Sequence, residues 1–500
     1  MLDAFWTLLH PVPFLTLLVG VVLGIIVGAL PGMTGGTLMA LTLPFTYYMD
    51  SRNAVILLVA MFVGGVSGGL ITATLMRIPG EPSAVMTTLD GYPMARAGRP
   101  GRAIGLGVAA SLVGGVLSWI SLVLLSPPLV WFGLKFGPFE NFALVLMALV
   151  FIASLSEGSF LKGILSGVFG MLVSMPGIDE SSGTIRLNFG LPALDSGFHI
   201  LPVILGLFAV SQVLVDAIQV EQVFERVEAT ARGVFLSLRD YLVHGLNMLR
   251  SSIIGIWIGI LPGVGASIAS IVAYTTAKNV SKTPERFGTG CEEGIVAAES
   301  ANNACTGGTL IPIITLGIPG GLADAILLSA LIIHNLQPGP LLFVNSPHIV
   351  HAIMAAHLVS HLLMFVLMTA GCVLFARIMY LPRGYVIPLI LVSCIVGAFG
   401  VNNRMFDVWV MLAFGLVGYF MEYARVPLAP FAIGLILAPL AEGQLRSGLM
   451  ASGGSLLPLV QRPIALSFLL VSVAMSAWPA YRDHRRRQRR GAVAVVAERE

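Results

Sequence analysis

Apolar segments long enough to cross a lipid bilayer recur along the whole of this sequence. A spanning helix needs about 20 apolar residues, and candidate spans lie near residues 14–30, 54–76, 103–126, 140–156, 160–176, 198–219, 243–260, 350–376, 386–401, 406–424, 427–441 and 463–481. Only 11% of the 500 residues are charged, against roughly 25% in an ordinary soluble domain. The pattern excludes soluble, disordered and fibrous proteins and predicts an all-α polytopic integral membrane protein with about 10–12 transmembrane helices.

Glycine and proline positions repeat within these apolar segments. The motif GALPG (28–32) recurs as GILPG (259–263), SGG (67–69) recurs as TGG (306–308), and IPG (78–80) recurs as IPG (318–320). The motifs keep their order, at offsets of 231, 239 and 240 residues, and therefore indicate two related halves. Because proline and glycine interrupt helices, broken or re-entrant segments are expected at Pro31, Pro79, Pro262 and Pro319, each of which precedes a glycine.

The two halves are predicted to be membrane repeats over residues 1–218 and 241–480. Residues 219–240 carry mixed charge at helical spacing, which is typical of a surface linker. The tail over 481–500 contains the run RDHRRRQRR, and dense basic charge beside a last span predicts a cytoplasmic C-terminus. The net charge of +3 is too small and too dispersed to indicate a nucleic-acid partner.

Loop charges indicate that the halves are inverted relative to each other. The loop after the first IPG motif holds Arg96, Arg99 and Arg102, whereas its counterpart near 337–348 has no Lys or Arg. The loop after GILPG holds Lys278, Lys282 and Arg286, whereas its counterpart near 48–54 holds only Arg52. Because basic loops stay in the cytoplasm, equivalent loops lie on opposite sides of the membrane. Inverted repeats with matched Gly/Pro interruptions are typical of secondary transporters.

A Pro-Gly break at membrane depth frees backbone groups that lipid cannot satisfy, so it is tolerated only inside protein or beside a wet cavity. Half-helix N-termini suit a carboxylate, and unwound carbonyls suit Na⁺ or a proton donor. Close helix packing through small residues is the alternative. The repetition favours a substrate or ion site, which we predict to comprise Pro31, Gly32, Thr34, Gly35, Gly36, Ser67, Gly68, Gly69, Arg77, Pro79, Gly80, Pro262, Gly263, Gly265, Ser267, Glu299, Asn302, Asn303, Thr306, Gly307, Gly308, Pro319 and Gly320.

The richest polar stretch is ESANNACTGG, residues 299–308. Asn302 and Asn303 offer donors and acceptors without the cost of a buried charge, which suits a carboxylate or a Na⁺ ion near these two amides. An interhelical hydrogen-bond cluster is the alternative. Glu299 either lies solvated at an interface or couples to a cation. No cofactor is expected beyond Na⁺ or H⁺ as the coupling ion.

A charged residue lies beside the second break in each half. Arg77 directly precedes Ile78-Pro-Gly80, where it either binds a substrate carboxylate bidentately or extends to a lipid headgroup. Asp324, which follows the matching Pro-Gly pair, is equally open between a site role and a structural one.

The histidines and cysteines do not form a recognisable metal or catalytic set. His357 and His361 share a helix face, but His351 lies about 120° around the helix from His357, so three ligands do not converge. The four cysteines have no regular spacing and are typical of small core residues. No H-E-x-x-H, G-x-S-x-G or Walker A motif is present. The sequence therefore predicts neither an enzyme nor an ATP-driven pump.

The sequence resembles the large membrane subunit of the tripartite tricarboxylate transporters over about residues 15–440. The resemblance is carried by GALPGMTGG (28–36), IPGEPSAVMTTLDGYPMARAGRPGRAIG (78–105), GILPGVGASIASIVAY (259–274), FGTGCEEGIVAAESANNACTGGTLIPIITLGIPGG (287–321) and LQPGPLLF (336–343). It implies a bacterial inner-membrane carrier with two partners, a small four-helix membrane subunit and a periplasmic solute-binding receptor. That receptor would deliver an organic anion, often a carboxylate such as citrate, for uptake driven by a cation gradient.

Three positions depart from the pattern usual in that family. Ser67-Gly-Gly-Leu70 stands where Tyr-Gly-Gly-Ser is common, Arg77 stands where Asn is usual, and Ala298 stands where Pro is usual. These changes leave the fold prediction intact and leave the substrate open; we hypothesise that the added cation favours a more anionic substrate. A stand-alone cation-coupled carboxylate carrier is the main alternative function, and a channel or an intramembrane enzyme is less favoured.

Overall fold

Helices make up nearly all the regular structure of the computed structural model, which describes residues 1–30, 33–155, 159–179, 182–218, 227–378 and 383–476. In chain order the helices are α1 (Leu2–Leu8), α2 (Pro11–Gly28), α3 (Gly35–Thr46), α4 (Ser51–Met76), α5 (Thr87–Arg96), α6 (Pro100–Gly133), α7 (Pro138–Leu155), α8 (Phe160–Val173), α9 (Ile200–Ile204), α10 (Ser211–Ile218), α11 (Leu238–Ile260), α12 (Gly265–Val280), α13 (Glu292–Leu316), α14 (Leu322–Ile333), α15 (Pro340–Asn345), α16 (Pro347–Ile378), α17 (Arg383–Asn402), α18 (Met405–Tyr423), α19 (Leu428–Ala451), α20 (Pro458–Gln461) and α21 (Pro463–Ser476). A π-helical segment, Leu205–Val210, joins α9 to α10. Strands β1 (Gly177–Ile178) and β2 (Ile185–Arg186) form an antiparallel pair.

Six helices of the described chain, α2, α4, α6, α16, α18 and α19, are long and apolar enough to cross a membrane. Shorter apolar helices include α7, α8, α14 and α21. The prediction of an all-α, multi-pass membrane protein is confirmed. The total of about 10–12 spans stays a prediction, because length and composition alone do not assign the shorter helices to full crossings.

Two compact units divide the chain. Unit 1 contains residues 1–134 and 199–420, and unit 2 contains residues 135–198 with, among the described residues, 421–476. Each unit therefore combines chain from both predicted repeats. The division of the sequence into inverted halves at 1–218 and 241–480 stays a prediction.

The predicted linker over 219–240 lies only partly within the described residues. Residues 219–226, like the basic tail at 481–500, lie outside the described residues. Over 227–237 the chain is irregular, so the helical spacing noted in the sequence is not realised there. Helix α11 already begins at Leu238, because Ser237 caps its first turn in a reciprocal capping box with Asp240.

All four predicted Pro-Gly breaks separate helices. They lie between α2 and α3, α4 and α5, α11 and α12, and α13 and α14. Left-handed backbone at Arg77 (φ 59°), Gly263 (φ 78°) and Gly317 (φ 72°) turns the chain at three of them. Pro31 and Gly32, at the first break, lie outside the described residues.

The first break forms the tip of a hairpin, α2–α3, that packs against α4. A Cβ on Gly24 would lie 2.6 Å from the carbonyl oxygen of Met61, and a Cβ on Gly28 would overlap the carbonyl of Gly65. Only glycine permits backbones to approach so closely. Because these contacts advance together along both helices, α2 and α4 run parallel.

The third break forms the tip of an equivalent hairpin, α11–α12, against α13. A Cβ on Gly259 would lie 2.7 Å from the carbonyl oxygen of Cys305 and 2.9 Å from Cα of Gly308. A Cβ on Gly255 would likewise overlap the carbonyl of Ala301. Helices α11 and α13 therefore also run parallel, with glycine again at the crossing.

Helices α4 and α13 run in opposite directions. The Ser67 hydroxyl of α4 donates to the side-chain oxygen of Asn303 on α13 at 2.7 Å. Further along α4, Thr74 lies beside Gly91, and the adjacent Asp90 lies beside Gly294, which precedes Asn303 on α13. Each hairpin thus packs against one of two antiparallel helices, which is the arrangement that an inverted repeat predicts.

Candidate substrate and ion site at the helix breaks

Both hairpin tips lie at the level of the hydrogen bond between Ser67 and Asn303. The first tip contacts α4 at Gly65, two residues before Ser67. The second contacts α13 at Cys305, two residues after Asn303. Since α4 and α13 are antiparallel, these contacts fall at matching heights within unit 1. The breaks therefore converge on one layer of the unit.

The second break folds back onto the first. A Cβ on Gly80 would overlap the carbonyl of Gly28 and lie 2.6 Å from the Thr72 hydroxyl. The backbone N–H of Gly35, in the first turn of α3, donates to Oε2 of Glu81 at 2.8 Å. Pro79 beside them is half-buried. Breaks one and two are thus in direct contact.

The third and fourth breaks adjoin this pair. A Cβ on Gly36 would lie 3.2 Å from the Leu322 side chain at the start of α14, and the 3₁₀ turn Pro82–Ala84 packs against α12. The fourth break, with Pro319 buried, folds back until Gly320 lies beside Thr309 of α13. All four interrupted segments are therefore neighbours in unit 1.

The two hairpins differ at the start of their second helix. In α3 the Thr34 side chain accepts the N–H of Thr37 at 3.0 Å, and Glu81 accepts that of Gly35. In α12 no side chain caps the first turn, and Pro262, Gly263, Gly265 and Ser267 are all half-buried. An uncapped helix N-terminus offers N–H groups and a positive dipole end to an anion. Of the two helix N-termini, that of α12 is better suited to bind a carboxylate.

Asn303 is the centre of a fully buried polar cluster. Its amide nitrogen donates to the Ser111 hydroxyl and to Oδ1 of Asn302, both at 2.8 Å. Its oxygen accepts from Ser67. The cluster ties α4, α6 and α13 together at the layer of the breaks, as the interhelical alternative predicts, and it places Asn302 and Asn303 together.

Glu299 is part of the same cluster and is fully buried, so the interpretation of a solvated interface residue is wrong. Thr87 of α5 donates to Oε1 at 2.5 Å. The Asn302 amide donates to Oε2 at 3.2 Å, and Ser111 approaches the same oxygen at 3.5 Å. Burying a carboxylate among neutral donors, with no cation among these partners, costs free energy. Glu299 is therefore a candidate to bind a proton or Na⁺.

A second buried carboxylate lies on the far side of the cluster. Asp324 accepts from the Thr309 hydroxyl at 2.8 Å. Thr309 in turn lies one helical turn beyond Thr306, whose hydroxyl donates to the carbonyl of Asn303 at 2.7 Å. Asp324 is therefore joined to the polar face of α13, and its partner Thr309 was not predicted.

The glycine pairs of the SGG and TGG motifs serve close packing. A Cβ would lie 2.5 Å from the Ile25 carbonyl oxygen at Gly68, 2.9 Å from the Glu81 nitrogen at Gly69, 2.5 Å from the Ser118 hydroxyl at Gly307, and 2.7 Å from the Ile256 carbonyl oxygen at Gly308. These contacts fit the small-residue alternative. Any contact of these glycines with substrate would require the neighbouring segments to move.

Arg77 lies away from the polar cluster. It ends α4 in the left-handed conformation and its side chain is exposed. No hydrogen bond or ion pair of Arg77 is found among the described residues. This placement fits an extended, solvated cation and leaves the residue able to meet an arriving anion.

Asp90, which the sequence analysis did not single out, anchors the loop that precedes α13. Its Oδ1 accepts the backbone N–H groups of Gly288, Gly290 and Cys291 at 2.9, 2.9 and 2.7 Å. Its Oδ2 accepts the Tyr274 hydroxyl at 2.8 Å, and the carboxylate is fully buried. No local signal distinguishes such a residue, because its partners lie almost 200 positions away in the chain.

Paired helix breaks around a buried polar layer, in a multi-pass helical protein, are typical of secondary transporters. The profile of the Tripartite tricarboxylate transporter TctA family matches residues 14–433, and the chain belongs to this family. This is a family of transporters, which points away from an enzyme.

Two curated relatives come from Agrobacterium vitis. One, described as an uncharacterized 52.8 kDa protein in the TAR-I ttuC′ 3′ region, is 34% identical over 470 residues, covering 94% of this chain and 93% of the relative. The other, an uncharacterized protein in the TAR-II ttuC′ 3′ region, is 34% identical over 234 residues, covering 46% of this chain and 97% of the relative. No solved structure matches the chain.

Proposed function

We propose that the chain is the large membrane subunit of a tripartite carrier in a bacterial inner membrane. It imports a small organic anion of the di- or tricarboxylate class that a periplasmic solute-binding protein delivers, and a Na⁺ or H⁺ gradient drives the uptake. A small four-helix membrane subunit completes the carrier. Family membership supports the assembly, and the convergence of four helix breaks on the Ser67–Asn303 layer carries the proposed site.

The substrate carboxylate is proposed to bind at the uncapped start of α12, near Gly265 and Ser267. The amides of Asn302 and Asn303 and the carboxylate of Glu299 lie at the same layer, where their oxygen atoms would hold Na⁺ if Na⁺ is the coupling ion. Alternating access then requires the hairpins to move past α4 and α13.

The basic loops support the orientation. Arg102 follows the α5–α6 loop and bonds Glu292 at the start of α13 at 2.9 Å. The loop before α13 is bonded to Asp90 of α5. The two basic loops therefore lie at the same end of unit 1, and we assign that end to the cytoplasm.

Reconstitution tests the proposal directly. Proteoliposomes are prepared with the chain alone, with the small subunit, and with both the small subunit and the receptor, and uptake of labelled mono-, di- and tricarboxylates is measured under Na⁺ or pH gradients. Accumulation is expected only with all three proteins and a gradient. Accumulation by the chain alone would establish the stand-alone carrier instead, and absence of uptake in every combination would refute the proposal.

Arg77→Asn is predicted to shift substrate preference towards less charged anions. Asparagine tolerates the left-handed backbone at this position, so the fold should be kept while one positive charge is lost. We expect uptake of tricarboxylates to fall about tenfold relative to monocarboxylates, as for loss of roughly 1.4 kcal/mol of attraction. Arg77→Lys keeps the charge and is the control; an unchanged preference in Arg77→Asn would exclude a substrate role.

A further inference from the structure

A pair of buried histidines on α16 lies beside the substrate layer but outside the proposed carboxylate site. His357 and His361 are fully buried, and their ring centroids are 4.6 Å apart. A Cβ on Gly115 of α6 would overlap the His361 ring, and a Cβ on Gly307 of α13 would lie 2.9 Å from Nε2 of His357. Glycine at both positions therefore makes the room in which the two rings sit.

The hydrogen bonds assign the proton on each ring. Nδ1 of His361 lies 2.9 Å from the carbonyl oxygen of His357, which can only accept, so Nδ1 carries the hydrogen. The Ser118 hydroxyl donates its one hydrogen to the carbonyl of Gly115 at 2.9 Å. With that hydrogen donated to Gly115, the hydroxyl accepts from Nε2 of His357, 3.1 Å away.

The opposite nitrogen of each ring consequently presents a basic lone pair. Nε2 of His361 and Nδ1 of His357 are buried and have no hydrogen-bond partner among the described residues. Buried polar atoms are nearly always paired, so two such atoms in adjacent rings call for an explanation. Each lone pair can accept a proton when a conformational change admits water to the rings, and the short distance between the rings opposes a second positive charge.

Few other ionisable groups surround the pair. Helices α2 and α4, which also pack against α16, have none over Pro11–Gly28 and Asn53–Met76. Helix α6 carries only Arg102, at its start, and α1 carries only Asp3. Helix α15 has none, and the other histidines of α16 lie at its beginning. A proton on the pair is thus not fixed by a neighbouring counter-charge on these helices.

The nearest carboxylate of α13 is Glu299, in the polar cluster. Ser111, which contacts Glu299, and Ser118, which contacts His357, are seven residues apart and so share one face of α6. The other ionisable groups of α13 are the thiol of Cys305 and two glutamates of its first turn. The histidine pair is therefore the next polar layer along α6 after the layer of the helix breaks.

We propose that His357 and His361 together bind one proton and that this proton is the coupling ion of the carrier, an inference that rests on the proposed function. The proton adds to Nε2 of His361 or Nδ1 of His357 in the conformation that opens the pair to one side, and leaves as the same ion on the other side. No other bond forms or breaks. Movement of the first hairpin, whose helix α2 packs against α16, changes the surroundings of both rings, which links proton binding to substrate binding.

Proton movement is measured in proteoliposomes containing the complete tripartite system and an internal pH-sensitive dye, in buffer free of Na⁺. Wild type is expected to acidify the lumen when substrate is added. His357→Gln and His361→Gln should lower this influx, and accumulation driven by a pH gradient, by about tenfold or more. The loss of accumulation should exceed the loss of substrate exchange. His348→Gln, an exposed position at the start of the same helix, is the matched control and should behave as wild type.

The outcomes separate the inference from the function on which it rests. Substrate exchange without proton influx in wild type, or proton influx in both histidine variants equal to wild type, would overturn the proton site and leave the carrier function standing. Absence of substrate exchange in wild type would refute the carrier function itself. If the glutamine variants do not reach the membrane, Ser118→Ala decides: removing the acceptor of His357 should shift the pH profile of uptake, and an unshifted profile overturns the inference.

Discussion

Replacing Asn303 by alanine is expected to lower substrate uptake about a hundredfold while the protein still reaches the membrane. Asn303 joins three helices through Ser67, Ser111 and Asn302. Its loss leaves buried hydroxyl and amide groups unpaired, at about 1–3 kcal/mol for each group. If the transport-competent conformation is destabilised by about 2.7 kcal/mol, the rate of uptake falls about a hundredfold.

Thr315→Ala is the matched control for Asn303→Ala. Thr315 is buried on the same helix, but among the described residues its hydroxyl bonds only the carbonyl of Ile311 within that helix. Its removal should leave uptake close to that of wild type. Ser67→Ala, which removes one partner of Asn303, should fall between the two. Normal uptake by Asn303→Ala, at normal membrane levels, would show that the polar cluster is not part of the site.

Replacing Asp90 by alanine is expected to cause the largest loss of stability. Three backbone N–H groups and the Tyr274 hydroxyl share this buried carboxylate. Without it, several buried donors lose their acceptor, and at about 1–3 kcal/mol each the free energy of unfolding should fall by about 3 kcal/mol or more. The measurement is the denaturant unfolding of the purified protein in detergent.

Asp90→Asn is the control that distinguishes hydrogen bonding from packing. Its amide oxygen can still accept the three backbone N–H groups, so its stability should lie well above that of Asp90→Ala. Tyr274→Phe removes a single hydrogen bond and should cost about 1 kcal/mol. Equal stabilities for Asp90→Ala and Asp90→Asn would show that the carboxylate does not hold the loop before α13.

The positions of the helix breaks were predictable from the sequence because proline and glycine act locally. Each of the four Pro-Gly pairs separates two helices, and the family resemblance rested on the same residues. The helical spacing was misleading over 227–237, where the chain is irregular and buries Val234 without forming a helix. A local pattern predicts structure well only where the local effect is strong.

Long-range partners were not predictable. Glu299 is enclosed by Thr87 of α5 and Ser111 of α6, which no spacing rule connects to it. The same holds for the pairing of His357 with Ser118. The sequence also could not show which glycines lie at close helix crossings and which lie at helix breaks, because both positions favour a residue without a side chain. Gly68 and Gly308 proved to lie at crossings.

The carboxylate site at the meeting of the helix breaks is tested most directly by substrate protection of a cysteine at position 267. The four native cysteines are buried and free, so Ser267→Cys should be the thiol that a polar maleimide labels. Asn279→Cys, exposed near the other end of α12, is the control. We predict that the transported carboxylate slows labelling of Ser267→Cys about tenfold or more and leaves Asn279→Cys unaffected. Equal labelling rates with and without every carboxylate that the carrier transports would contradict the site.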